Sequence, residues 1–275
     1  MRDKWGRHEI VWNKLKAYKM NSKYITRFLA RTATSSWFAL CLFGISASPV
    51  SAWDSDSLAK LRLIADQGNA EAQYFVGMLY NLGIGGASRD PTVAFEWFKK
   101  STTGNDPLGA YKVGCYYAGQ FPDAVSVDAD KALAHKLIAA KAGYSLAQSD
   151  VANSYFQRGD FAAAEKWWTL AATQGYAPAA NNLSFLYFEG KGVPQDRVKS
   201  VAWFRIAYAS MRKKMDTKAQ EHLDKIARDM TPSDIADAEK LVSRWQAKPT
   251  VLTAAALYPK PRVDALLAAS SSGSN

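Results

Sequence analysis

The sequence predicts an all-α protein: a right-handed alpha-alpha solenoid of four helix-turn-helix repeats with helical caps. Three observations carry this expectation. Four tyrosines, Tyr80, Tyr117, Tyr155 and Tyr187, recur at spacings of 37, 38 and 32 residues, the range in which stacked helical repeats are found. Small and aliphatic residues stand at fixed offsets before each tyrosine. An aspartate and a bulky ring recur together in the second half of every unit.

The first helix of each repeat follows from the columns before the tyrosine. Four residues earlier stand Val76, Val113, Val151 and Leu183; three earlier stand Gly77, Gly114, Ala152 and Ser184; eight earlier stand Ala72, Gly109, Ala147 and Ala179. Offsets of four and eight fall on one helical face, and the small residues let a neighbouring helix approach closely. The second helix follows from Trp97, His135, Trp167 and Trp203. Seven residues before each stands an aspartate, Asp90, Asp128, Asp160 or Asp196, and three before stands Ala94, Ala132, Ala164 or Ser200. Aspartate is a preferred N-cap, and Pro91 follows at the favoured first helical position. Spaced along a solenoid, the four aspartates read as caps, not as metal ligands. Gly159 and Gly190 end first helices; Gly68, Gly143 and Gly175 end second helices or the helix before the repeats.

Together these columns resemble the Sel-one-like repeat family, relatives of the tetratricopeptide solenoids, over about residues 57–246. The fourth repeat, residues 177–210, is the closest to the family pattern. Repeat two departs with His135-Lys136 where that pattern has a Trp-aromatic pair, and repeat three lacks the Gly-x-Gly-Val loop. The resemblance implies a non-enzymatic scaffold; its exported members act in envelope assembly, signalling or host contact.

Outside the repeats, 53–68 holds an expected capping helix, Ser57–Asp66, and 212–248 holds two more. Thr231, Pro232 and Asp234 open the last of these as cap, first and third residue. Beyond Lys248 the chain turns Pro-, Ala- and Ser-rich, so a disordered tail is expected over 249–275. At the other end, residues 1–52 read as a signal peptide. Lys23, Arg27 and Arg31 precede an apolar core at 37–45, and Val50-Ser51-Ala52 forms a small-residue cleavage site. Cleavage after Ala52 gives a periplasmic or secreted product, with an uncleaved membrane anchor as the alternative. Met20 stands before an ordinary n-region, so residues 1–19 read as lying upstream of the true start.

The charge agrees with export better than with nucleic-acid binding. The chain carries 35 Lys/Arg against 25 Asp/Glu, but most of the excess lies in the basic leader. The near-neutral remainder offers no phosphate-tracking stripe. Cys41 leaves with the signal and has no lipoprotein box before it, so Cys115 alone remains and no disulfide framework forms. His135 and His222 have no metal-ligand spacing, and no cofactor motif is present. A Cys115–His135 dyad is set aside because His135 stands in a packing column. Ser57-Leu58-Ala59-Lys60 and Ser210-Met211-Arg212-Lys213 match a Ser-x-x-Lys pattern without the other elements of penicillin-recognising enzymes. The columns of Trp97, Trp167, Trp168 and Trp203 read as core, not as a sugar platform.

What remains is surface. Offsets of six and two before the tyrosines point away from the packing columns. They place Tyr74, Met78, Tyr111, Cys115, Ser149, Asn153, Asn181 and Phe185 on an expected partner-binding face. The reading is an exported adaptor or regulator that docks a protein partner in the cell envelope or outside the cell. It needs no nucleic acid, metal or cofactor, and contacts a membrane only if the signal stays uncleaved. The alternative is a peptidoglycan-binding or penicillin-interacting cell-wall protein.

Overall fold

The computed structural model describes residue 53, residues 55–212 and residues 214–272; the leader lies outside the described residues. Those residues form thirteen helices and no strand. Helix α1 (Ser57–Asp66) precedes four antiparallel pairs: α2 (Ala70–Leu82) with α3 (Pro91–Thr103), α4 (Pro107–Tyr117) with α5 (Ala129–Lys141), α6 (Ser145–Gln157) with α7 (Phe161–Thr173), and α8 (Ala177–Glu189) with α9 (Arg197–Ser210). Helices α10 (Thr217–Ala227) and α11 (Pro232–Arg244) follow, then α12 (Val251–Leu257) and α13 (Lys260–Ser272).

Each pair is closed by the same device. The backbone N–H groups of Asp90, Asp128, Asp160 and Asp196 donate to the carbonyls of Tyr80, Tyr117, Tyr155 and Tyr187, at 2.9–3.0 Å. The same aspartates then cap the second helix, accepting from the amides of Thr92 and Val93, Lys131, Ala163 and Lys199. The connecting loop differs in length from repeat to repeat without moving this junction, because lengthening a loop costs little once its ends are fixed. Gly83 and Gly190 end α2 and α8 in the left-handed conformation, at φ 71° and 63°, which a side chain would oppose.

The small columns meet across each pair. A Cβ on Gly77 would stand 2.7 Å from the Phe98 ring, and one on Gly114 would stand 2.7 Å from the Lys136 stem. In the third and fourth pairs Ala152 meets Ala164 within one cluster, and the Ser184 and Ser200 hydroxyls lie 3.2 Å apart. The tryptophan column behaves as packing: Trp97 and Trp168 are buried, Trp167 and Trp203 half-buried. His135 takes the Trp slot by stacking on Tyr117 with ring centroids 5.8 Å apart.

Lys136 is the irregular member. It stands in the column filled elsewhere by Phe98, Trp168 and Phe204, and it is buried like them. Its stem packs on Gly114 and its ammonium reaches the Asp150 carboxylate at 2.7 Å, with side-chain exposures of only 8% and 13%. Burial alone would push the lysine down, but the carboxylate outweighs it and holds Lys136 above its ordinary value. Tyr111 donates a further hydrogen bond to Asp150 at 3.3 Å.

The described part of the segment expected to be disordered, residues 249–272, is mostly helical: it contains α12 and α13. Composition misleads here because the order comes from long-range partners. Thr250 caps α12, and Val263 is buried with Leu61, Ile64 and Phe75 of α1 and α2.

Two substitutions test these junctions. Asp196→Ala, which leaves the N-terminal amides of α9 uncapped, should cost about 1 kcal/mol in urea unfolding, and Asp196→Asn much less. Lys136→Ala should cost about 3–5 kcal/mol because Asp150 is left buried without its partner. Lys136→Phe combined with Asp150→Asn restores the aromatic column and should unfold near the wild-type midpoint.

Candidate interaction surface

The eight residues expected on an exposed face divide when placed. Asn181 and Phe185 of α8 are exposed; Tyr74, Met78 and Asn153 are half-buried. Tyr111, Cys115 and Ser149 are buried, at 4%, 1% and 3% exposure, which corrects the expectation for them. The reason is the stacking of successive first helices. These side chains meet both their own partner helix and the next repeat, not water. Tyr111 packs edge-on against Tyr144 at 5.0 Å, and Cys115 joins the cluster of Leu133, Ala139 and Val151. Burial pushes the Cys115 thiol up, which leaves it a packing residue with little thiolate.

The inner surface nonetheless carries unusual chemistry. Tyr74 and Tyr111 stand within first helices and Tyr144 and Tyr176 at the starts of the next two, and burial raises the phenol of each above its ordinary range. Beside this aromatic lining, Asn153 Oδ1 accepts from the Trp168 indole at 3.1 Å and from Asn182 at 3.3 Å. Asn181 and Phe185 stand exposed on α8.

Along one edge of the surface lies the chain's own C-terminal segment, which sequence reasoning missed. The Lys248 amide donates to the Thr173 carbonyl at 2.9 Å, and the Thr250 amide donates to Gln174 Oε1 at 3.0 Å. The Thr250 hydroxyl donates to the Gly143 carbonyl at 2.9 Å. The Thr253 hydroxyl accepts from the Ser145 amide at 3.0 Å. Further on, Arg262 meets Glu71 at 2.5 Å and lies over the Phe75 ring. The segment thus runs back from the third repeat to the first. The only sequence signal for it is Thr250-Val251-Leu252-Thr253, a helix N-cap spacing inside a low-complexity stretch.

Catalytic chemistry finds less support in this geometry. Ser57 is buried, and the Ser210 hydroxyl is bonded to the Ile206 carbonyl of its own helix. Among the described residues no cluster of His, Cys, Asp and Glu is placed to hold a metal ion, and no helix is long and apolar enough to cross a membrane.

Comparison with known proteins bears on what such a surface does. A 54-residue stretch is 39% identical to the ERAD-associated E3 ubiquitin-protein ligase component HRD3A of Arabidopsis thaliana, covering 20% of this chain and 8% of that protein. The crystal structure of c5321, a protective antigen of uropathogenic Escherichia coli strains displaying an SLR fold, superposes with a TM-score of 0.59 at 27% identity. That match covers 72% of this chain and 42% of c5321. A Sel1 repeat protein from Oxalobacter formigenes superposes with a TM-score of 0.55 at 24% identity, over 70% of this chain and 76% of that one. The chain therefore spans less than half the length of the first two. The Sel1 repeat model matches four consecutive stretches, residues 70–106, 107–144, 145–176 and 177–210. These matches account for just over half of the sequence and coincide with the four helix pairs, so the chain belongs to the Sel1 repeat family, whose members generally act as protein-interaction adaptors.

Proposed function

We propose that this protein is an exported, non-enzymatic adaptor or regulator that docks a protein partner on the inner surface of its solenoid. The observation that carries the reading is the polypeptide already seated there. The repeat junctions hold the end of a linker and the start of a helix through backbone and hydroxyl hydrogen bonds, and solenoids present extended surfaces of this kind to partners. Family membership supports the adaptor class, since fold alone does not give a function. Export rests on the basic, apolar and small-residue succession of residues 23–52.

Asn181 and Phe185 are the exposed members of the face, so they are the residues to change without disturbing the core. In an affinity pull-down from envelope extract of the source organism, Asn181→Ala/Phe185→Ala should lose at least one specific partner that the wild type captures. Retention of every partner would place docking elsewhere. Incubation with a fluorescent penicillin should give no covalent label; labelling lost on Ser57→Ala would overturn the non-enzymatic reading.

N-terminal sequencing of the protein recovered from cells should begin at Trp53. Full-length protein that stays with membranes through a carbonate wash would replace the secreted product with an anchored one.

A further inference from the structure

Repeats one and two cap their first helices themselves. Asn69 accepts from the Ala72 amide at 2.9 Å, and Asp106 accepts from the Leu108 amide at 3.0 Å. In repeats three and four the same register holds Tyr144 and Tyr176, which make no side-chain cap. At repeat three the missing cap comes from 108 residues away: the Thr253 hydroxyl accepts from the Ser145 amide. The groups that hold the threonines are themselves prepared. Gln148 donates to the Ala140 carbonyl at 3.2 Å, and Gln174 donates to Gln148 Oε1 at 2.8 Å. Gln174 Oε1 is thereby turned to the C-terminal segment, where it accepts the Thr250 amide and lies 2.7 Å from the Thr253 hydroxyl. An open helix N-terminus, a carbonyl at Gly143 and an oriented amide make a socket for a hydroxyl-bearing helix start.

The seated segment is held lightly. Helix α12 turns Thr250 and Thr253 to the socket with Leu252 and Ala254–Ala256 half-buried, and leaves Val251, Leu257 and Tyr258 exposed at 88%, 59% and 70%. The firm contacts come at the far end, where Arg262 meets Glu71 and Val263 enters the α1–α2 cluster. The apolar burial is therefore concentrated at that far end, with Leu266 and Leu267 packed beside Val263, and the contact at the socket itself is mostly polar.

We propose that residues 248–263 are a resident, displaceable ligand of this socket. A partner protein takes their place with a segment of the same chemistry: a helix opened by Thr-x-x-Thr or Ser-x-x-Ser, with an arginine nine residues after the second hydroxyl. The inference deepens the adaptor reading by naming the recognised segment and the contact that withholds the site.

The test uses the full chain and a fluorescein-labelled peptide of residues 246–265. Tethering gives the resident segment an effective concentration on the order of millimolar, so micromolar peptide cannot compete with it. The unaltered protein should therefore show little binding by fluorescence anisotropy. The variant Thr250→Ala/Thr253→Ala/Arg262→Glu, whose own segment is repelled by Glu71, should bind the peptide at least tenfold more tightly. The reverse variant Thr250→Ala/Thr253→Ala/Glu71→Arg, whose own Arg262 is repelled by the arginine at position 71, should reject the natural peptide and bind an Arg262→Glu peptide. A second measurement needs no variant. On the unaltered chain, peptide at millimolar concentration should accelerate amide exchange in residues 250–257 while Ser145 stays protected. Equal peptide binding by the variant and the unaltered chain, or tail exchange indifferent to saturating peptide, overturns the proposal. Either result would leave partner capture through Asn181 and Phe185 standing as a separate question, so the two readings fail separately.

Discussion

Everything in this molecule depends on one junction repeated four times. An aspartate amide returns to the carbonyl of the tyrosine that closes the preceding helix, and the same aspartate's carboxylate starts the next one. Two helices are thereby set antiparallel at a fixed distance. Only then can glycine, alanine or serine on one helix lie against alanine or serine on the other. That contact brings the backbones close enough for the flanking rings to fill the remaining space. Loops of different length hang from the junction without consequence, which is why the repeat tolerates periods as different as 32 and 38 residues.

Stacking those pairs turns local exposure into burial. A position such as Tyr111 meets its own partner helix, and the arrival of Tyr144 from the next repeat completes its cover. The inner surface is consequently more polar than a core and drier than an ordinary surface. Tyrosine hydroxyls, asparagine amides and the Lys136–Asp150 pair sit in it with their partners prearranged. Buried polar groups of this sort fix geometry because each alternative arrangement leaves one of them unsatisfied. The lysine shows the cost of departing from the repeat: once it enters the aromatic column, Asp150 must accompany it.

The C-terminal segment belongs to the same logic. Where the third repeat gives up its own cap in favour of Tyr144, a threonine from the end of the chain restores it. The strap joins the third repeat to the first, a coupling that nearest-neighbour stacking does not supply.

The sequence by itself determined the local structure: the tyrosine and aspartate columns, the small residues between them, the turns and the capping box at Thr231 and Asp234. These depend on residues a few positions apart, and their periodicity is visible in one dimension. It also placed His135 correctly as a packing replacement, because the column around it was legible. Tertiary structure alone decided what lies between repeats. It buried Tyr111, Cys115 and Ser149, left Asn181 and Phe185 open, paired Lys136 with Asp150, and ordered residues 251–272. For Tyr111, Lys136 and Val263 the deciding partner comes from another repeat or from more than a hundred residues away. The hydrogen bond between Thr253 and Ser145 has no periodic signature. It exists because a helix end left uncapped in one part of the chain meets a hydroxyl from another.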